Sequence, residues 1–146
     1  MKEIDIFTDG ACLGNPGPGG WAAILKFKDK QKEIFGGEIN TTNNRMELTA
    51  IIEAFKMLNE PCKVNLYSDS KYVCDSISKG WAKSWKLNNW KKSNNKLALN
   101  IDLWEELLYF VEINEVEVCW IKGHAGQKEN EKCDELAVKQ AKKQIL

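Results

Sequence analysis

Four carboxylates in this 146-residue chain stand where they could do chemistry together: Asp9, Glu47, Asp69 and Asp134. Asp9 comes late in an otherwise apolar run, Ile4-Asp5-Ile6-Phe7-Thr8-Asp9, and burying an unpaired carboxylate costs several kcal/mol, so a cation, donors or water must lie beside it. Glu47 shares a helical row with Ile51, Ala54 and Leu58 and is expected to face a sheet. Asp69 follows a strand, and Asp134 stands in an early turn of the last helix. Such groups repel one another unless divalent cations neutralise them. Hard oxygen ligands with no Cys or His cluster nearby suit Mg²⁺, or Mn²⁺ as a substitute, rather than zinc. Two such ions about 3.5–4 Å apart would clamp the attacking and leaving oxygens of a phosphodiester during in-line displacement. His124, the only histidine, lies in Gly123-His124-Ala125-Gly126, where a group titrating at about pH 6.5 could move protons for that reaction.

Each residue also has a local explanation. Asp9-Gly10 reads as a turn, Asn44-x-x-Glu47 as a capping box, and Asp69 as an N-cap for the helix after it. Asp134 gains about 0.3–1 kcal/mol from the helix macrodipole if it lies in the first turn. Only convergence of all four favours a shared site.

That convergence depends on the elements that carry them. Residues 4–9 read as a strand, 21–27 and 33–39 as two more, and the short connections make the three an antiparallel meander. Leu48, Ile51, Ile52, Phe55 and Leu58 recur at helical steps over 43–58, ending before Pro61. A fourth strand over 64–68 can return parallel to the first because a helix precedes it. A short helix over 70–78, a helix over 101–113, a strand over 116–121 and a helix over 130–144 follow. The expected fold is α/β, one mixed sheet with helices on both faces, as a single domain over 1–146. In such sheets the ends of parallel strands gather at one edge, which is where Asp69 and the loop after the fifth strand fall.

Composition sets the outer bounds. The 43% apolar and 29% charged fractions are those of a globular protein, and no apolar run approaches the ~20 residues of a membrane helix. The chain runs from Met1-Lys2-Glu3 into its first strand without signal-peptide features, so a cytoplasmic location is expected. Five scattered cysteines without a Cys-x-x-Cys pair argue against disulfides and zinc. Net charge is zero, yet residues 76–101 contain no acid and carry Lys79, Lys83, Lys86, Lys91, Lys92 and Lys96. Trp21, Trp104 and Trp120 are expected in the core, and Trp85 and Trp90 as packing residues.

Taken in order, these segments resemble the bacterial type 1 ribonuclease H family over nearly the whole chain. The resemblance rests on Phe7-Thr8-Asp9-Gly10 with Gly14-Asn15-Pro16-Gly17-Pro18-Gly19-Gly20, on Thr41-Thr42-Asn43-Asn44-Arg45-Met46-Glu47-Leu48, on Ser68-Asp69-Ser70, and on Lys122-Gly123-His124-Ala125-Gly126 running on to Cys133-Asp134-Glu135-Leu136-Ala137. It implies a five-stranded sheet in the order 3-2-1-4-5. It further implies endonucleolytic hydrolysis of the RNA strand of an RNA–DNA hybrid, leaving 3′-hydroxyl and 5′-phosphate ends. Asp9, Glu47, Asp69 and Asp134 would hold two Mg²⁺ ions, with His124 as a proton shuttle.

A hybrid is recognised through 2′-hydroxyls across a wide, shallow minor groove. The resemblance assigns such contacts to Asn15, Asn43 and Asn44, with Gly10 and Cys12 through their backbone, and a DNA phosphate to Thr42. The segment from Gly80 to Lys92 resembles the family's basic protrusion, with Trp81 helping to form the DNA channel and Lys83 and Lys86 near phosphates. Two departures stand out: Lys71 occupies a position that is commonly glutamine, and the protrusion has lysines but no arginine. A monomer acting on a hybrid duplex is expected. The rival readings are a hybrid- or double-stranded-RNA-binding module without turnover, and a junction-resolving or transposase-like nuclease of similar architecture.

Overall fold

The computed structural model describes residues 1–122 and 126–145. Its sheet runs β3-β2-β1-β4-β5 and is built from β1 (Glu3–Cys12), β2 (Gly17–Phe27), β3 (Lys30–Thr41), β4 (Lys63–Ser68) and β5 (Glu115–Trp120). β1, β2 and β3 pair antiparallel, while β4 lies parallel to both β1 and β5. The helices are α1 (Asn43–Lys56), α2 (Lys71–Ser78), α3 (Trp81–Leu87), α4 (Ile101–Ile113) and α5 (Lys128–Lys143). This is the mixed sheet, in the order expected from the sequence.

Strand alternation divides the core in two. Ile4 and Ile6 of β1 point to one face, where Leu48, Ile51, Phe55 of α1 and Trp104, Leu107 of α4 cover them. Phe7 points to the other, against Cys133 and Ala137 of α5. α1 is fastened to α4 by a two-pronged ion pair, Arg45 to Asp102 at 3.0 and 2.7 Å, a geometry only a guanidinium supplies.

The second strand, expected from residue 21, begins earlier, within the glycine-rich stretch. β2 begins at Gly17, and Gly19 and Gly20 pair with Cys12 and Ala11. A Cβ on Gly20 would stand 2.2 Å from the Ala137 carbonyl oxygen and 2.5 Å from the Ala141 nitrogen, so glycine here lets α5 lie directly on the sheet. Trp120 is a second correction: expected in the core, it is 44% exposed at the end of the edge strand. Residue type in an apolar strand does not say how far the covering helices reach. Trp104 is fully buried, Trp21 is half-buried, and Trp85 meets Trp104 edge-on at 6.1 Å. Among the described residues, no helix is long and apolar enough to cross a membrane.

Candidate active site

The local explanations for the carboxylates are largely taken by their neighbours. α1 is capped by Thr42, whose hydroxyl accepts from the Arg45 N–H at 3.2 Å, so Glu47 has no part in a capping box. Ser70, not Asp69, caps α2, accepting from the Val73 N–H at 3.2 Å. Glu129 and Glu131 fill the first turn of α5, leaving Asp134 a turn further on, beyond most of the macrodipole's reach. Asp9 lies within β1, opposite Ala22 of β2, rather than in a turn.

Asp9, Glu47 and Asp69 instead converge: each offers a carboxylate oxygen, and these oxygens lie within 4.8 Å of one another. Gly10 makes the approach possible, since a Cβ there would stand 2.5 Å from the Glu47 nitrogen and 2.6 Å from the Met46 carbonyl carbon. Without a side chain at Gly10, the first turns of α1 press against β1 and carry Glu47 to the strand. Asp134 lies outside the close group. It is half-buried, lines a surface groove on α5 with Lys139, Lys142 and Lys143, and reaches Asp9 through its field.

Asp9 and Glu47 are each only 3% exposed. The Gly10 N–H donates to Asp9 Oδ1 at 2.9 Å, but among the described residues no N–H or hydroxyl reaches Asp9 Oδ2 or Glu47 Oε2. Burial, then the charge of Asp69, pushes the Asp9 carboxyl up to about 7, against the pull of a proton donated by Glu47. Burial and the Asp9 charge hold Glu47 well above the usual carboxylate range. Two buried oxygens lacking donors, in a group that resists ionising, are what a cation of high charge would satisfy. The donor set is all oxygen, which fits Mg²⁺ or Mn²⁺.

A stability consequence follows for the metal-free protein. Asp9 keeps its proton to about 7 when folded but loses it near 3.8 when unfolded. Its contribution is therefore whole below the unfolded value and is lost as pH rises through the folded one, a loss of about 4 kcal/mol to which Glu47 adds in the same direction. Denaturant melts in chelator should show lower stability at about pH 8 than at about pH 5. Equal or greater stability at the higher pH would contradict this electrostatic account.

The other expected site residues gather in three places. Asn15 Oδ1 accepts from the Asn43 N–H at 3.0 Å, and the Cys12 thiol lies 3.4 Å from the Thr41 carbonyl, so Cys12, Asn15, Thr42, Asn43 and Asn44 form one ridge at the start of α1. Trp81, 42% exposed, lines a cleft of about 570 Å³ with Trp85, Lys91 and Lys92. Lys83 and Lys86 line a separate groove, against Leu108, Val111 and Glu112 of α4. Helical spacing explains the split, because Trp81 and Trp85 share one face of α3 while Lys83 and Lys86 share another. Lys91 and Lys92 are thus neighbours of Trp81 that spacing along the chain did not single out. His124 lies outside the described residues. Burial raises all five thiols, so none offers a thiolate nucleophile at neutral pH.

The RNase H family model matches residues 1–142. A ribonuclease H of Desulforamulus reducens is 53% identical over 146 residues, covering 100% of this chain and 92% of the relative. One from Agrobacterium fabrum is 55% identical over 139 residues, covering 95% and 94%. Among solved structures, LC9-RNase H1, described as a type 1 RNase H with the type 2 active-site motif, superposes with a TM-score of 0.86 at 31% identity, covering 99% of this chain and 74% of that one.

Proposed function

This chain belongs to the ribonuclease H family, and from that membership and the convergence of Asp9, Glu47 and Asp69 we propose that it hydrolyses the RNA strand of RNA–DNA hybrids with a pair of Mg²⁺ ions. Asp9, Glu47, Asp69 and Asp134 hold the ions, Asp134 completing the set from α5. Bound there, the cations supply the Lewis acidity that activates water and the positive charge that stabilises the phosphoryl oxygens. Cleavage leaves 3′-hydroxyl and 5′-phosphate ends. The protein works as a single domain over 1–146, a cytoplasmic monomer.

The chain's own residues bind and orient. Gly10, Cys12, Asn15, Asn43 and Asn44 present polar groups to the shallow minor groove, where 2′-hydroxyls distinguish RNA from DNA. Thr42, held at the N-terminus of α1, meets a DNA phosphate with the positive end of the helix behind it. His124 carries a proton to or from the reacting oxygens. His124→Ala should slow turnover without abolishing it, so a dead variant would contradict a shuttle.

Trp81, Lys83 and Lys86 engage the DNA strand, and the cleft around Trp81 adds Lys91 and Lys92. Each lysine removed from a phosphate should lower the slope of log KM against log salt by about 0.7–0.9. Lys83→Ala/Lys86→Ala and Lys91→Ala/Lys92→Ala, measured separately, assign the contacts, and a pair whose slope stays at the wild-type value lies off the DNA path.

The single observation behind the reading is the close carboxylate trio with its donorless buried oxygens. Labelled RNA–DNA hybrid, double-stranded RNA and double-stranded DNA, each offered with and without Mg²⁺, test it. Cleavage confined to the hybrid's RNA strand and dependent on the ion is expected. Binding without cleavage would make the chain a recognition module, and preference for double-stranded DNA would make it a nuclease of another specificity.

A further inference from the structure

At the edge of the carboxylate trio lies an arrangement that packing does not explain. β4 and β5 are parallel, and the last backbone bond beyond their paired residues runs from the Ile121 N–H to the Ser68 carbonyl at 2.8 Å. The next carbonyl, that of Asp69, is taken by a side chain: Trp120 Nε1 donates to it at 3.2 Å. The indole thus extends the ladder by one residue, to the residue whose carboxylate joins Asp9 and Glu47. Its ring is held in turn. The Lys71 ammonium lies 4.5 Å from the ring centroid, and Asp75 Oδ2 holds that ammonium at 3.3 Å while lying 3.8 Å from Lys79.

We propose that Trp120 and Lys71 are a positioning pair for Asp69, an inference that rests on reading Asp69 as a ligand of the divalent ions. Asp69 is the one residue between the end of β4 and the cap of α2, and its carbonyl shares a peptide unit with the Ser70 N–H, which donates to Ser68 Oγ at 3.1 Å, so the setting of that unit helps aim the carboxylate. The indole N–H holds the carbonyl end of that unit while Ser68 Oγ holds its N–H end, and the cation over the ring, tethered to α2 by Asp75, holds the indole. An exposed tryptophan and a lysine at a site rimmed with acids thereby gain one shared purpose. Neither touches the reacting atoms.

The test uses the full chain and two readouts: Mg²⁺ titration followed by thermal unfolding without substrate, and steady-state kinetics on a hybrid. Trp120→Phe keeps a smaller aromatic ring beneath Lys71 and removes the N–H. It should raise the Mg²⁺ concentration for half-maximal stabilisation and lower kcat, each by up to about tenfold, with KM for the hybrid unchanged. Lys71→Met should act in the same direction more weakly, and Lys71→Arg, which restores a cation to the ring, should recover wild-type behaviour. Lys71 is exposed, so its variants do not threaten folding. Wild-type Mg²⁺ response and kcat in Trp120→Phe would overturn the proposal, as would an effect confined to KM, which would make the ring a surface for substrate. Failure of the underlying reading is distinct: the wild-type protein would then neither respond to Mg²⁺ nor cleave the hybrid.

Discussion

Asp9→Asn is expected to lose hybrid cleavage by roughly three orders of magnitude or more while making the metal-free protein more stable. The two effects have one cause. Asp9 is buried against Glu47 and Asp69, and its charge is the group's to lose when no cation is present. Asparagine keeps an oxygen for the Gly10 N–H, offers an amide donor towards Glu47, and removes one negative charge from a closed space. At about pH 8 the gain should be on the order of 1–3 kcal/mol, and it should shrink by about pH 5, where wild-type Asp9 is itself protonated. Added Mg²⁺ should stabilise the wild-type protein by mass action and the variant much less, so the ranking of melting temperatures narrows or reverses. Wild-type turnover in the variant would remove Asp9 from the chemistry; lower stability in chelator at about pH 8 would show that its charge is compensated by other means.

Gly20→Ala is expected to be among the most damaging single-methyl changes at the described glycines. The new Cβ would meet the Ala137 oxygen and the Ala141 nitrogen, which are backbone atoms of α5, so no rotamer change relieves the overlap. Either β2 or α5 must move. Overpacking of this kind costs about 1–3 kcal/mol and more when backbone is the obstacle, which for a chain of this size lowers the melting temperature by on the order of 10 °C. α5 also carries Asp134, so cleavage should fall further than the lost stability explains. Calorimetry and single-turnover kinetics check both. A variant within about 0.5 kcal/mol of wild type, with full activity, would mean that α5 does not bear on β2 as closely as described.

The antiparallel meander of the first three strands and the parallel return of the fourth were readable from local signals, while the full order of the sheet came with the resemblance to the ribonuclease H family. The short polar turn between the strands read at 21–27 and 33–39 leaves little choice but antiparallel neighbours, and the helical period of Leu48, Ile51, Ile52 and Phe55 identifies α1. The second strand, expected to start at 21, begins at Gly17, because glycine has two uses, conformational freedom and absence of bulk, and residue type alone does not say which applies. At Gly20 the second does: the partner requiring the space, α5, is more than a hundred residues away. The tryptophans failed in a similar way. Trp104 and Trp120 look alike in a hydropathy pattern, and only the placement of the covering helices buries one and exposes the other.

What the sequence determined by itself was therefore the inventory: which carboxylates end strands or enter helices, which segment is cationic, and which faces are apolar. Those are properties of neighbours along the chain, where period and residue type act directly. Tertiary structure alone decided that Thr42 and Ser70 do the capping, freeing Glu47 and Asp69 for each other and for Asp9, while Asp134 stays a step apart. It also divided Trp81 from Lys83 and Lys86, and turned Trp120 outward to hold Asp69. The physical reason is that electrostatic repulsion, burial and hydrogen bonding are set by distances in space, and side chains sixty residues apart acquire those distances only when the sheet closes.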